Sequence, residues 1–352
     1  MISFYPGPSR VYPKVSRYMQ DAYREGVLSI NHRSDAFVEM SQKAMDGMRK
    51  KLRVPKNYTI YFLTSATECW EVIAESFVRK ESIHIYNGAF GEKWCTYSEK
   101  LVPAVARESF SRETLLHADQ LKFKKGDLIC ITQNETSNGT QVSTDIIKVV
   151  KKNNPNHLVA VDATSSMAGI MLDFSVADIW FASVQKCFGL PAGLAVMICS
   201  PHALERAQSI NNRKHYNSIL FLNEMIKKAQ TPCTPNVLNI YLLMRVMADV
   251  KEIDSVHRTI TGRFKKWETF FDLKSNKLDL LVKNPSARSH TVLPIESTPV
   301  LVDKIKTLAA KKGFLLGDGY GELKTTTFRI ANFPSLRKSE IARLMDFLYD
   351  FI

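Results

Sequence analysis

The sequence predicts an α/β fold, a mainly parallel sheet covered by helices, with a smaller α+β domain behind it. Three observations carry this. From about residue 35, apolar strand-like runs alternate with amphipathic helical stretches, the pattern of repeated strand–helix units whose strands lie parallel. Pro232 and Pro235 then break the alternation. Beyond them, shorter strands and helices group as a separate α+β layer would.

The elements follow in order. Phe37, Met40, Ala44, Met48 and Leu52 recur at helical spacing. Residues 58–63 read as a strand, 68–78 as a helix, 83–86 as a strand and 92–101 as a helix. Strands at 127–132 and 158–161 come next, and the apolar runs 178–183 and 194–199 read as two buried strands. After the prolines one long helix is predicted from 237 to about 257, linking two domains. Strands at 278–282 and 291–294, a helix over 302–311, strands at 314–316 and 326–330 and a final helix over 338–351 complete the chain. The expected division is a large domain over 12–245 and a small one over 246–352, with residues 1–11 packing near the small domain. No internal repeat is present.

Composition narrows the function. The 352 residues are 45% hydrophobic and 24% charged, enough to bury a core and unlike a disordered chain. No apolar run approaches the ~20 residues that span a bilayer, and the start shows no basic-then-apolar leader. A cytoplasmic protein without membrane association is expected. The six cysteines show no Cys-x-x-Cys spacing, so neither disulfides nor a metal site is indicated. The net charge of +13 comes from dispersed short pairs such as Lys124-Lys125, without interleaved aromatics. That basicity suits steering of anionic metabolites better than nucleic-acid binding. Gly317-Asp-Gly-Tyr-Gly321 imitates a dinucleotide fingerprint, but Glu322 occupies the sixth position.

In sheets of this kind ligands sit beyond the carboxyl ends of the strands. Lys186 stands between the runs 178–183 and 194–199, where desolvation would lower its pKa and expose a nucleophilic amine, as a Schiff base needs. Its neighbour Cys187 reads as a packed thiol. The strand 158–161 leads into Asp162, a carboxylate able to keep a pyridine nitrogen protonated, although it is equally a candidate cap. Lysine and aspartate together point to pyridoxal phosphate. Thr64-Ser-Ala-Thr-Glu68 joins a strand to a helix, and its first-turn amides suit a phosphate, while Ser65 or Thr67 also reads as a plain N-cap. Thr136 lies in a turn-rich loop, Phe90 is a stacking or core aromatic, and Arg329 is a strand arginine, either solvent-facing or a fork for a carboxylate. Asn31-His32-Arg33 is a cationic cluster or a solvated loop.

Together and in this order, these segments resemble the class V group of fold-type I pyridoxal-phosphate enzymes, through nearly the whole chain. Phe4-Tyr-Pro-Gly-Pro8 is similar to the family's N-terminal Phe-x-x-Gly-Pro, residues 26–34 contain its His-Arg-Ser element, and 54–58 followed by Phe62-Leu63 also match. The resemblance implies a seven-stranded, mainly parallel sheet sandwiched by helices in the large domain. It also implies pyridoxal 5'-phosphate bound through Lys186, with Asp162 on the pyridinium, Phe90 in place of a stacking tryptophan and Thr136 on the phenolic oxygen. Ala66, Thr67 and Gln185 would hold the cofactor phosphate. Gln230 and Thr231 match an Asn-Thr-Pro segment that reaches it from the partner subunit of a homodimer. Arg329 matches the arginine for the substrate's α-carboxylate, and His32 and Arg33 match residues that meet a distal phosphate or carboxylate. The implied reaction is ping-pong transamination between L-glutamate and 3-phosphohydroxypyruvate, a step of serine biosynthesis.

Three positions depart from the family. Ser65-Ala66-Thr67 replaces a glycine-rich run, Gln230 replaces asparagine, and 319–324 lacks a histidine-containing approach to Arg329. The last resembles the alanine- or serine-glyoxylate branch, the alternative activity. A basic nucleic-acid-binding protein on a degenerate version of the fold is the non-enzymatic alternative.

Overall fold

The computed structural model describes residues 1–272 and 277–352. It opens with strand β1 (Ile2–Phe4), helix α1 (Val15–Arg24) and helix α2 (Asp35–Leu52). Helix α2 begins where Ser34 accepts the Phe37 amide, buries Phe37, Met40, Ala44, Met48 and Leu52 along one stripe, and ends at left-handed Arg53. Arg49, Lys50 and Lys51 fill its last turn, where the helix dipole favours cations.

The alternation then runs β2 (Thr59–Leu63), α3 (Ala66–Phe77), β3 (Glu81–Tyr86), α4 (Ala89–Ser98), β4 (Ala104–Ser109) and β5 (Leu128–Thr132). A short hairpin, β6 (Asn134–Glu135) and β7 (Thr140–Gln141), leads to α5 (Thr144–Asn153), β8 (Leu158–Asp162), β9 (Ile179–Ser183) and β10 (Ala195–Cys199). These strands build a seven-stranded sheet ordered β2-β10-β9-β8-β5-β3-β4. Strand β10 is antiparallel to both its neighbours, so the other six share one direction. Every residue of β5, β8, β9 and β10 is buried, which is why those strands are continuous apolar runs rather than alternating ones.

Helices α6 (Pro201–Ile210), α7 (Ile219–Ile226), α8 (Val237–Asp249) and α9 (Ile253–Asp272) follow. The single helix expected over 237–257 is therefore two. Val250 is extended, and its carbonyl accepts Lys51 Nζ at 2.7 Å, so a partner outside the helix takes a carbonyl at the break. The last part of the chain comprises β11 (Asp279–Leu280), β12 (Val292–Glu296), α10 (Pro299–Lys311), β13 (Phe314–Asp318), β14 (Thr327–Ala331) and α11 (Lys338–Tyr349). The strand expected at 278–282 is reduced to the two residues of β11. A second sheet has the order β1-β13-β14-β12-β11, so the N-terminal strand is its edge, parallel to β13.

Two apolar cores result. One surrounds the large sheet and includes Ile253 and Ile260 of α9. The other lies between the second sheet and α9, α10 and α11, with Phe264 and Trp267 of the same α9 at its centre. Among the described residues no helix is long and apolar enough to cross a membrane, and no cluster suits a metal ion.

Candidate active site

The six co-directional strands end at Leu63, Tyr86, Ser109, Thr132, Asp162 and Ser183. Five of these ends feed one cavity of about 550 Å3, which takes Ala66 and Thr67 after β2, Phe90 after β3, Thr136 after β5, Asp162 from β8, and Gln185 and Lys186 after β9. The cavity's far wall comes from the second sheet and includes Asp318, Tyr320 and Arg329. The segment Tyr5–Pro8 is a further wall, and a Cβ at Gly7 would stand 2.9 Å from Lys186 Cε, so a glycine lets this segment lie against the lysine.

Lys186 is 7% exposed. Its Nζ donates to Thr136 Oγ1 and to Ser165 Oγ, both at 2.8 Å, and lies 5.2 Å from the centroid of the Phe90 ring. Burial lowers its pKa to about 8, with Asp162 and Glu135 opposing the shift. The amine is still mostly protonated at pH 7, but roughly a tenth is neutral, far more than for an ordinary lysine, and the neutral form is the one that attacks as a nucleophile.

Asp162 is buried and accepts the Thr164 amide at 2.9 Å. Burial pushes its carboxyl up from the ordinary carboxylate range. Asn134 Oδ1, from a residue lining the cavity, is buried without a hydrogen-bond partner among the described residues. Buried polar atoms ordinarily have partners. The Asp162 carboxyl, the Thr136 hydroxyl and the amino end of α3 together suit a ligand with an aromatic nitrogen, a ring oxygen and a phosphate. The N-terminus of α3 opens into the same space. Ser65 caps it by accepting the Glu68 amide at 3.1 Å, and the Ala66 amide donates to Ser183 Oγ at 2.8 Å. Ser65 therefore is the N-cap that its residue type suggests, while Thr67 in the first helical turn lines the cavity.

Arg329 is 5% exposed, which removes the solvent-facing reading of this strand residue. Its Nε donates to the Asp318 carbonyl at 2.6 Å and its Nη1 to the Thr136 carbonyl at 2.9 Å. The guanidinium lies 5.5 Å from the centroid of Tyr320, whose ring packs 5.2 Å from that of Phe90. Two backbone carbonyls hold the fork, and Nη2 has no acceptor among the described residues.

His32, Arg33, Gln230 and Thr231 do not reach this cavity within one chain. They gather elsewhere: Arg33 Nη1 donates to Gln230 Oε1 at 3.0 Å and Nη2 to the Pro232 carbonyl at 3.2 Å. His32 Nδ1 lies 3.5 Å from Thr234 Oγ1. Two segments nearly 200 residues apart thus form one cationic edge.

Three neighbours of the site escape a reading from residue type. Ser165, in the small-residue run after Asp162, shares the Lys186 amine with Thr136 and contacts its hydroxyl directly. Glu135 is buried and accepts the Phe90 and Gly91 amides, both at 3.1 Å, together with the Ser137 amide at 2.9 Å. It anchors the first turn of α4 and so fixes Phe90. Tyr320 bridges Phe90 and Arg329 across the cavity. For Glu135 the available signal was a carboxylate three residues past a strand end, which nothing distinguishes from an ordinary loop residue.

Comparison with known proteins agrees with this geometry. The model of the family "aminotransferase class-V" matches residues 3–319. The chain is 27% identical to the phosphoserine aminotransferase of Corynebacterium glutamicum, over 98% of this chain and 93% of that protein. Its fold is similar to the crystal structure of a phosphoserine aminotransferase from Cytophaga hutchinsonii, with a TM-score of 0.95, 32% identity, and coverage of 100% of this chain and 99% of that one. The alanine–glyoxylate aminotransferase of a Nostoc species shares the fold at a TM-score of 0.84 but only 17% identity, over 99% of this chain and 94% of that one.

Proposed function

The chain belongs to the class-V aminotransferase family, and from that premise we propose that it transfers the amino group between L-glutamate and 3-phosphohydroxypyruvate with pyridoxal 5'-phosphate as cofactor. The observation that carries the reading is Lys186: a buried amine with a lowered pKa, held by Thr136 and Ser165 in the cavity that also contains Asp162 and Arg329. The phosphorylated substrate is supported by the similarity to the Corynebacterium and Cytophaga proteins, both named phosphoserine aminotransferases.

Pyridoxal phosphate, when bound, supplies an electron sink for the pair left behind when the substrate's Cα–H bond breaks. The chain's residues do the rest. Asp162 would hold the proton on the ring nitrogen, and its buried carboxyl, which accepts the Thr164 amide, is suited to a cationic partner. Ala66, Thr67 and Gln185 would bind the phosphate at the amino end of α3. Phe90 would cover one face of the ring and exclude water. Thr136 would meet the ring oxygen. Lys186 Nζ would hold the cofactor and, as a free amine, would accept the proton from the substrate's Cα. Arg329 would receive the α-carboxylate, with its fork already aimed by the Asp318 and Thr136 carbonyls.

Gln230, Thr231, His32 and Arg33 enter through a second copy of the chain. Their joint placement outside the chain's own cavity supports a homodimer in which each subunit lends this edge to the other's site. The division into a large domain over 12–245 and a small one over 246–352 is supported by the two apolar cores, although the change from one core to the other falls within α9, between Ile260 and Phe264. We place the enzyme in the cytoplasm, a location supported by its unpaired cysteines.

The test is a half-reaction screen on the cofactor-loaded protein. Phosphoserine and glutamate are expected to discharge the visible absorbance of the lysine-bound cofactor, and Lys186→Ala is expected to abolish that absorbance. Discharge by alanine or serine alone would replace this reading with the glyoxylate-type activity, and a wild-type protein that takes up no cofactor would remove it altogether.

A further inference from the structure

Of the charged side chains lining the cavity, three are cationic, Lys186, Lys324 and Arg329, and two are anionic, Asp162 and Asp318. Asp318 is already paired with Lys306. Asp162 faces the Lys186 charge, and by the reading above it would face the ring nitrogen once the cofactor is in place. Arg329 and Lys324 are left over. No anionic side chain pairs with Lys324 among the described residues, and it stands exposed at the cavity mouth.

The position of Lys324 is tied to that of Arg329. Lys324 ends a short 3-10 turn over Gly321–Lys324. That turn is fastened to β14 by Thr327 Oγ1, which donates to the Leu323 carbonyl at 2.7 Å, and the Gly319 amide donates to the Thr327 carbonyl at 3.1 Å. A Cβ at Gly319 would fall 2.1 Å from the Leu323 carbonyl oxygen, so a glycine is needed for the turn to fold this tightly. Thr327 and Arg329 lie two residues apart on the same strand and therefore on the same face. One face of β14 thus holds the Arg329 fork and, through Thr327, the backbone of Lys324.

We propose that Lys324 is a specificity-determining residue that binds the distal anion of the substrate from within the same chain, so that Arg329 and Lys324 select amino acids carrying a second negative group. The inference rests on Arg329 taking the α-carboxylate, as proposed above. It adds a distal cation of the same chain to those the partner subunit would bring. A lysine suits a distal carboxylate or phosphate, since an ammonium on a flexible stem accepts either anion without demanding planar geometry.

The test compares Lys324→Met and Lys324→Arg in the full-length, cofactor-loaded enzyme. For Lys324→Met, KM for phosphoserine and glutamate is expected to rise roughly tenfold, the factor that one hydrogen bond to a charged group is worth at a solvated site. Its kcat on alanine and KM for alanine should stay at the wild-type values, and Lys324→Arg should restore most of the loss. Equal effects on anionic and neutral substrates, or no effect on either, overturn the assignment. Calorimetric binding of glutarate, which has no amino group to transfer, reads the subsite without turnover. Weaker glutarate binding by Lys324→Met, with propionate binding unchanged, supports the inference even if phosphoserine is not a substrate. Unchanged glutarate binding overturns it. A wild-type enzyme that binds glutarate but does not react with phosphoserine defeats the phosphoserine reading alone.

Discussion

At Lys186 the chemistry is set by burial. An amine that titrates at about 8 instead of 10.5 because it is desolvated binds fewer protons in the folded chain than in the unfolded one between those two values. Below pH 8 it is charged in both states, and the folded state bears the whole desolvation cost, roughly 3 kcal/mol. Stability therefore rises with pH from about 8 to 10.5. We expect the cofactor-free Lys186→Met variant to exceed the wild type in urea stability at pH 7 by up to that amount, with the gap narrowing by pH 10; a gap independent of pH would show that the amine is not desolvated. The apolar flanks of Lys186 made this environment readable from the sequence. The hydroxyl of Ser165 was not readable, because a serine in a run of small residues has no distinguishing neighbour until the fold brings it to Nζ.

At the scale of elements, the first turn of α4 shows how a loop carboxylate can fix an aromatic face. Gly88 precedes this helix in an extended conformation, and its importance is close approach rather than backbone freedom: a Cβ there would stand 2.4 Å from Glu135 Cγ and 2.7 Å from Ser137 Oγ. Gly88→Ala is expected to cost about 1–3 kcal/mol by overpacking and to displace Glu135 from the Phe90 amide. Urea denaturation would give the cost, and a weakened cofactor affinity would report the displaced ring; a fully stable variant with normal affinity would count against it. The strands of the large sheet were legible because burial on both faces demands continuous apolar runs. Edge strand β4 was not, since Ala104–Ser109 is mostly exposed and carries Arg107 and Glu108. The break between α8 and α9 was also hidden, because a lysine from α2 satisfies a carbonyl there and no proline or glycine marks the spot.

For the whole molecule, the Arg33–Gln230 edge lies apart from the cavity that holds Lys186, and the proposed homodimer would complete the site between subunits. Mixing Lys186→Ala and Arg33→Ala subunits tests this. Half of randomly assorted dimers would be mixed, and each would hold one intact site, so activity should recover to roughly a quarter of the wild-type level. A site contained in one chain would show no recovery.

The sequence by itself determined the sheet's apolar strands, the lysine between two of them and the aspartate at the end of a third, because solvation acts locally and leaves a pattern along the chain. Only the tertiary structure decided which residues share a cavity. Ser165, Glu135 and the pair Tyr320 and Lys324 come from three separate segments, the first two after strands of the large sheet and the third between two strands of the second sheet. The same packing carried His32 and Arg33 away from the lysine they were expected to join, since the loop before α2 pairs with the segment after α7 and both stay outside the cavity of their own chain.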